Sequence, residues 1–221
     1  MTSCRLCDGL SPKRQRSLWN KPLLESDNFV VVPSLGALVE GWMLIVPREH
    51  VIAMGALSDS RLAELDDLKR SVATAMGHHY ESPVCAFEHG PSAEGCTLGC
   101  GVDHAHLHLV PLGFDIGKAV EPFMPEEAPW RPAGPPECRD AFKRGAGYLY
   151  FEQPVGSGQI ATDANFGSQL FRRAIATSVG LAGQFSWRDH LQLPKVEATV
   201  AAARCWVTEL RSCQSPKKAA A

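Results

Sequence analysis

The chain has 221 residues, 45% of them hydrophobic and 21% charged, and a formal charge of −2. Those values are the ones of an ordinary soluble globule with one good core, or one domain with an elaboration. They leave no basic footprint for duplex nucleic acid, no apolar run of the ~18 residues a membrane span needs, and no apolar signal-peptide centre in the opening residues, so a cytoplasmic protein without a membrane partner is expected.

Eight cysteines are present, but their placement does not suggest a disulfide framework in a chain this long. Cys4 and Cys7 form a C-x-x-C that reads as a tight knuckle, and Cys96 and Cys100 bracket a loop. Cys85, Cys138, Cys205 and Cys213 read as small buried hydrophobes. Residues 8–21 carry Lys13, Arg14, Arg16 and Lys21 and read as an exposed connection. A first strand follows at Asn28–Pro33 and a second, nearly all apolar, at Trp42–Val46, ended by Pro47. Ser58 is a candidate cap for a helix that runs to about Tyr80, with Leu62, Leu65, Leu68, Val72, Ala75 and Met76 at helical spacing. Pro83–Glu88 reads as a third strand, and residues 89–102 as a glycine-rich loop.

The loop feeds the most unusual stretch, Asp103-His104-Ala105-His106-Leu107-His108-Leu109-Val110-Pro111. On a strand, successive side chains point to opposite faces. His104, His106 and His108 would then share one face, roughly 6.6 Å apart along the strand, with Ala105, Leu107 and Leu109 on the buried one. The plainer alternative is an amphipathic edge strand whose polar positions happen to be histidine.

After Pro111 the signal is weaker. Residues 121–136 are rich in proline and acid and read as a long surface loop, Gly147–Glu152 as a strand, Phe166–Val179 as a helix, Pro194 to about Leu210 as a last amphipathic helix, and residues 214–221 as a polar tail. Sequential strands with short connections favour an α+β class with a mainly antiparallel sheet flanked by helices. The organisation expected is a core at 1–113 and an extension of loop, strand and two helices at 114–221, either separate or packed onto the core.

His104-Ala105-His106-Leu107-His108-Leu109-Val110 matches the His-φ-His-φ-His-φ-φ signature of the histidine triad family, which acts on nucleotides. The upstream segment Val39–His50 resembles that family too, in the right order and at a plausible separation. The resemblance covers residues 4 to about 113 and the rest weakly. It implies a nucleotide substrate, with His106 as nucleophile on the α-phosphorus and a nucleotidyl-histidine intermediate. It places His108 on phosphate oxygens or the leaving atom, and His104 beside them. In zinc-bearing relatives a C-x-x-C is completed by the histidine that closes the Pro-x-x-His segment and by the first motif histidine. Here those four are Cys4, Cys7, His50 and His104, a closed structural zinc site.

Gly99, Cys100 and Gly101 stand where the family contacts phosphate, though without the usual side-chain hydroxyl, so backbone N–H groups would carry the contact. His89 replaces a residue of the usual asparagine-glycine pair and is a candidate for the leaving group or base. Arg172, with Arg173, could meet phosphate, as could Gln153, Trp187 and Arg188. The plainer reading of the two adjacent arginines is a solvated helical face. Trp42 and Phe29 read as core or base-pocket residues. Diadenosine polyphosphates or nucleoside phosphoramidates would be hydrolysed. The competing expectations are a transferase or phosphorylase, a binding module without turnover, and a catalytic three-histidine metal site. The family commonly forms homodimers, so a homodimer is expected.

Overall fold

A computed structural model describes residues 4–11, 13, 15–99, 101–162 and 165–214, the last four by backbone alone. In chain order the elements are α1 (Arg5–Leu10), β1 (Leu24–Glu25), β2 (Phe29–Pro33), β3 (Met43–Pro47), α2 (Asp59–Tyr80), β4 (Val84–Gly90), β5 (Leu107–Pro111), α3 (Ile116–Val120), β6 (Arg131–Pro132), α4 (Pro135–Lys143), β7 (Tyr148–Glu152), β8 (Gly158–Thr162), α5 (Leu170–Ser178) and α6 (Leu193–Gln214). The strands form one eight-stranded sheet in the order β1-β2-β3-β5-β4-β7-β8-β6, and every neighbouring pair is antiparallel. The fold is α+β, a mainly antiparallel sheet with helices against both faces.

The pleat sorts the strand residues between two cores. Phe29, Val31, Met43, Ile45, Ala86, Leu107 and Leu109 face α2 and the second half of α6. On the other face, Cys85, Phe87, Val110, Leu149 and Phe151 pack against α3 and α5, and Val30, Val32 and Val46 pack against Leu6 of α1. The sheet is continuous across residue 113, because β7 pairs with β4 from Ala86↔Glu152 to Gly90↔Tyr148. The α2 helix starts where expected, with Ser58 Oγ accepting from the Arg61 amide. No helix among the described residues is long and apolar enough to cross a membrane.

The structure departs from the sequence reading in several places. β4 continues to Gly90, so His89 and Gly90 are strand residues rather than the start of a loop. β5 begins only at Leu107. The β3–β5 ladder stops at Ile45↔Leu107, short of Pro47, which has no N–H to offer. The Ala105 amide instead donates to Val51 O at 2.6 Å. The segment 8–21 is partly helical, in α1 and a 3₁₀ turn at Leu18–Asn20. The region read as a proline-rich surface loop ends in α4, where Pro135 and Pro136 occupy the first helical positions, which need no N–H. Of the cysteines read as buried, Cys85 and Cys138 are, whereas Cys205 is exposed; the side chain of Cys213 and the tail beyond Gln214 lie outside the described residues.

Candidate functional site

His106 immediately precedes β5 and His108 is its second residue, on the face that α5 covers. Their rings are 4.9 Å apart. His108 stacks on Phe87 of β4 at 4.4 Å, as the register Phe87↔His108 requires. His89, two residues along β4, is buried on the same face with its ring 6.5 Å from His108.

Hydrogen bonds decide which nitrogen of each ring carries the proton. His106 Nδ1 lies 2.7 Å from His104 O. A carbonyl only accepts, so Nδ1 carries the proton and Nε2 keeps its lone pair. The opposite holds for His108. Its Nδ1 lies 2.9 Å from Trp42 Nε1, and an indole N–H only donates. His108 Nδ1 is therefore bare, and Nε2 is a donor when the ring is neutral. His89 Nε2 accepts from the Phe171 amide at 3.4 Å. Burial, together with the charges of Arg172 and Arg5, pulls the pKa of His106 down to about 4. Burial takes His89 to about 3 and holds His108 well below its usual value. The cluster is neutral at physiological pH, with a lone pair and a donor side by side.

His104 goes elsewhere. Its Nε2 donates to Pro47 O at 2.9 Å, which turns the bare Nδ1 toward the knuckle. That Nδ1 is 3.4 Å from both Cys4 Sγ and Cys7 Sγ, and His50 Nδ1 is 3.4 Å from Cys7 Sγ. All four ligand atoms lie within 4.8 Å of one another. Metal–ligand distances of about 2.3 Å to sulfur and about 2.0 Å to nitrogen put tetrahedral vertices about 3.5 Å apart. The spacing, the donor types and the fixed tautomer of His104 all fit a metal ion, which these four residues can hold. Burial and the neighbouring Cys4 push the Cys7 thiol up to about 11, and a bound cation would favour its thiolate.

The remaining sequence candidates divide. Gly99 O accepts from Ser168 Oγ at 3.1 Å, so a hydroxyl absent from the loop's own sequence reaches it from the far half of the chain. Gly101 O accepts from Arg188; Cys100 lies outside the described residues. Arg172 is buried rather than on a solvated face. It donates to Phe185 O at 2.8 Å and to Gly36 O at 2.6 Å and lies 4.9 Å over the Trp42 ring. Arg173 donates to Phe166 O. Gln153 bonds Ile116 N and Phe114 O, at the start of α3, and Phe29 is core. The sequence reading missed Trp42 as the partner of His108, and it missed Arg5. No local signal in the sequence marks either one, because their partners are tens of residues away.

No family model matches the chain. The adenosine 5'-monophosphoramidase hnt1 of Schizosaccharomyces pombe is 29% identical over 93 residues, which are 40% of this chain and 65% of that protein. The chain is thus similar to a histidine triad protein over part of its length. It spans about two thirds of the length of this curated relative. Solved structures similar to the chain include a hypothetical histidine triad nucleotide-binding protein from Sulfolobus tokodaii, 18% identical, covering 49% of this chain and 68% of its own with a TM-score of 0.39. A HIT family hydrolase from Clostridium thermocellum is 17% identical, covering 51% and 92% with a TM-score of 0.38. A uridylyltransferase is 10% identical, covering 88% and 94% with a TM-score of 0.37.

Proposed function

We propose that the chain is a nucleotide hydrolase acting at the α-phosphorus of a dinucleoside polyphosphate or nucleoside phosphoramidate. The observation that carries this is the pair of opposite tautomers. The bare Nε2 of His106 stands beside the Nε2–H of His108, each locked by the bond its Nδ1 makes.

His106 Nε2 attacks phosphorus, the N–P bond forms, and the bond to the leaving group breaks with its electron pair. The ring becomes cationic, and His104 O, already bonded to Nδ1–H, stabilises it. His108 Nε2–H donates to a phosphate oxygen or to the departing atom. Water then attacks phosphorus and the N–P bond breaks, freeing mononucleotide and the neutral ring. Backbone N–H groups of Gly99 and Gly101 contact the phosphate. His89 lines the leaving-group side. Arg172, whose assigned bonds go to carbonyls, supplies positive field from below rather than a direct fork.

Zinc is the ion we assign to Cys4, Cys7, His50 and His104. The set is closed, so its part is structural: it fixes His104, and through the His104 carbonyl it holds His106. Reduced thiols suit a cytoplasmic setting. We take residues 1–113 and 114–221 as one folding unit, because the β4–β7 ladder joins them. A homodimer through sheet edges is disfavoured. The edges β1 and β6 are two residues each, and β6 carries Pro132.

The test is turnover of dinucleoside polyphosphates, nucleotide sugars and nucleoside phosphoramidates, with and without inorganic phosphate, with products identified by mass. Mononucleotide formed without phosphate, and lost in His106→Ala, is the expected result. Nucleoside diphosphate formed only with phosphate would make the chain a phosphorylase. No turnover by the wild type would leave it a binding module. Metal content falling to zero in Cys4→Ser separates the knuckle site from a catalytic site on the three histidines.

A further inference from the structure

Two arginines outside the proposed machinery meet on one indole. Arg5 of α1 places its guanidinium carbon 4.3 Å from the centroid of the Trp187 ring, and Arg188 places its own 4.7 Å from the same ring. Arg188 also donates to Gly101 O, in the loop before the histidines. A Cβ on Gly101 would come within 2.3 Å of the Arg188 nitrogens, and φ at Gly101 is +76, so only glycine admits this approach. The charge of Arg5 is among those that act on His106.

The segment carrying Trp187 and Arg188 is anchored from below. Gly36 N donates to Leu191 O at 2.8 Å, Gly36 O accepts from Arg172 at 2.6 Å, and a Cβ on Gly36 would meet the Trp187 Cβ at 2.6 Å. Among the described residues, neither Arg5 nor Arg188 has a carboxylate within ion-pair distance. Two guanidiniums on one ring repel each other. An anion bridging them relieves that repulsion and matches their planar donor forks.

We propose that Arg5, Trp187 and Arg188 form an anion clamp for the phosphate chain beyond the α-phosphorus. The clamp makes the preferred substrate one whose leaving group is itself a phosphate ester or polyphosphate, not a neutral amine. This rests on the reading that the α-phosphorus meets His106, and it selects the dinucleoside polyphosphate class within that reading.

Calorimetric titration of inorganic tripolyphosphate into the metal-loaded chain tests the clamp without any turnover. The expected result is saturable binding that weakens about tenfold or more in Arg188→Gln and in Arg5→Gln. Arg188→Lys should be intermediate, and His106→Ala within about threefold of wild type. Arg188→Gln lies outside the knuckle, so its result stands even where Arg5→Gln lowers metal content. Absence of binding by the wild type overturns the clamp. So does equal binding by wild type and Arg188→Gln, or a loss in His106→Ala as large as in Arg188→Gln. In turnover, the ratio of kcat/KM for diadenosine tetraphosphate over adenosine phosphoramidate should fall about tenfold in Arg188→Gln. Turnover surviving in His106→Ala would overturn the histidine reading and leave the titration to decide the clamp.

Discussion

The two faces of the sheet bury polar groups in opposite ways. On the α5 face, His89, His106 and His108 are neutral, and each ring has one nitrogen committed to a partner that dictates its tautomer. On the α2 face, Lys69 pairs with Asp66 at 2.6 Å and with Glu152. Glu152 accepts as well from Tyr150 OH at 2.7 Å and from Gly156 N at 2.6 Å. Beside it, Glu88 accepts from Tyr148 OH and from Met54 N, each at 2.7 Å. A cleft of about 580 Å³ opens over this second face, lined in part by Asp66, Lys69, Tyr150 and Glu152. Concavity alone would choose that side. Yet Asp66 and Glu152 already have their partners, and a saturated ion pair offers a reactant little. The histidine face holds neutral rings, and the Nδ1–H bond of His106 leaves its Nε2 with the lone pair. The nucleophilic lone pair of His106, rather than cavity size, singles out the proposed chemical site.

The sharpest way to break this comparison is a pair of substitutions. His106→Ala should lower turnover by about 10³-fold or more and leave the thermal midpoint nearly unchanged. Lys69→Met should do the reverse. It leaves Glu152 buried without its cation, which costs about 3–5 kcal/mol, read as a lower urea midpoint, while kcat per folded molecule holds. Loss of kcat in folded Lys69→Met would show that the two faces are coupled.

Glu88 offers a pH test. Burial raises its pKa to about 7, against about 4.3 in the unfolded chain. The folded state therefore binds the proton more tightly. This contribution is full below about pH 4.3 and is lost as pH rises through about 7, amounting to about 4 kcal/mol. Glu88→Gln should flatten that part of the stability–pH curve in urea melts. An unchanged slope would assign the titration elsewhere. The smallest effect concerns Trp42. Trp42→Phe removes the indole donor to His108, a bond of about 1–2 kcal/mol, or roughly 5- to 30-fold in kcat. Nitrogen chemical shifts of His108 should then show a changed tautomer. A lower melting temperature with the tautomer unchanged would reduce Trp42 to packing.

Much of the site was legible locally. The alternation from His104 to Leu109 told which residues face the apolar core, because Ala105, Leu107 and Leu109 do join it. The spacing of Leu62, Leu65 and Leu68 marked α2, with its serine cap. The resemblance groups Cys4, Cys7, His50 and His104, and their ligand atoms converge. What failed locally was the extent of the histidine strand. Pro47 and the Val51 carbonyl, on other segments, end the ladder and send His104 to the knuckle, while His106 stands just before β5 and His108 stays on it. The proline-rich run hid α4, since Pro135 and Pro136 read as breakers until their place in the first turn is known.

The sequence by itself determined the fold class and the histidine pattern, because these depend on period and residue type along one stretch. Only the tertiary structure decided which nitrogen of each ring is bare. It also decided that Arg172 is buried under the site, and that Arg5 and Arg188 meet on one tryptophan from opposite ends of the chain. The physical reason is the same in each case. A tautomer or a shared charge is set by whichever group lies across the gap, and Trp42 lies 66 residues from His108.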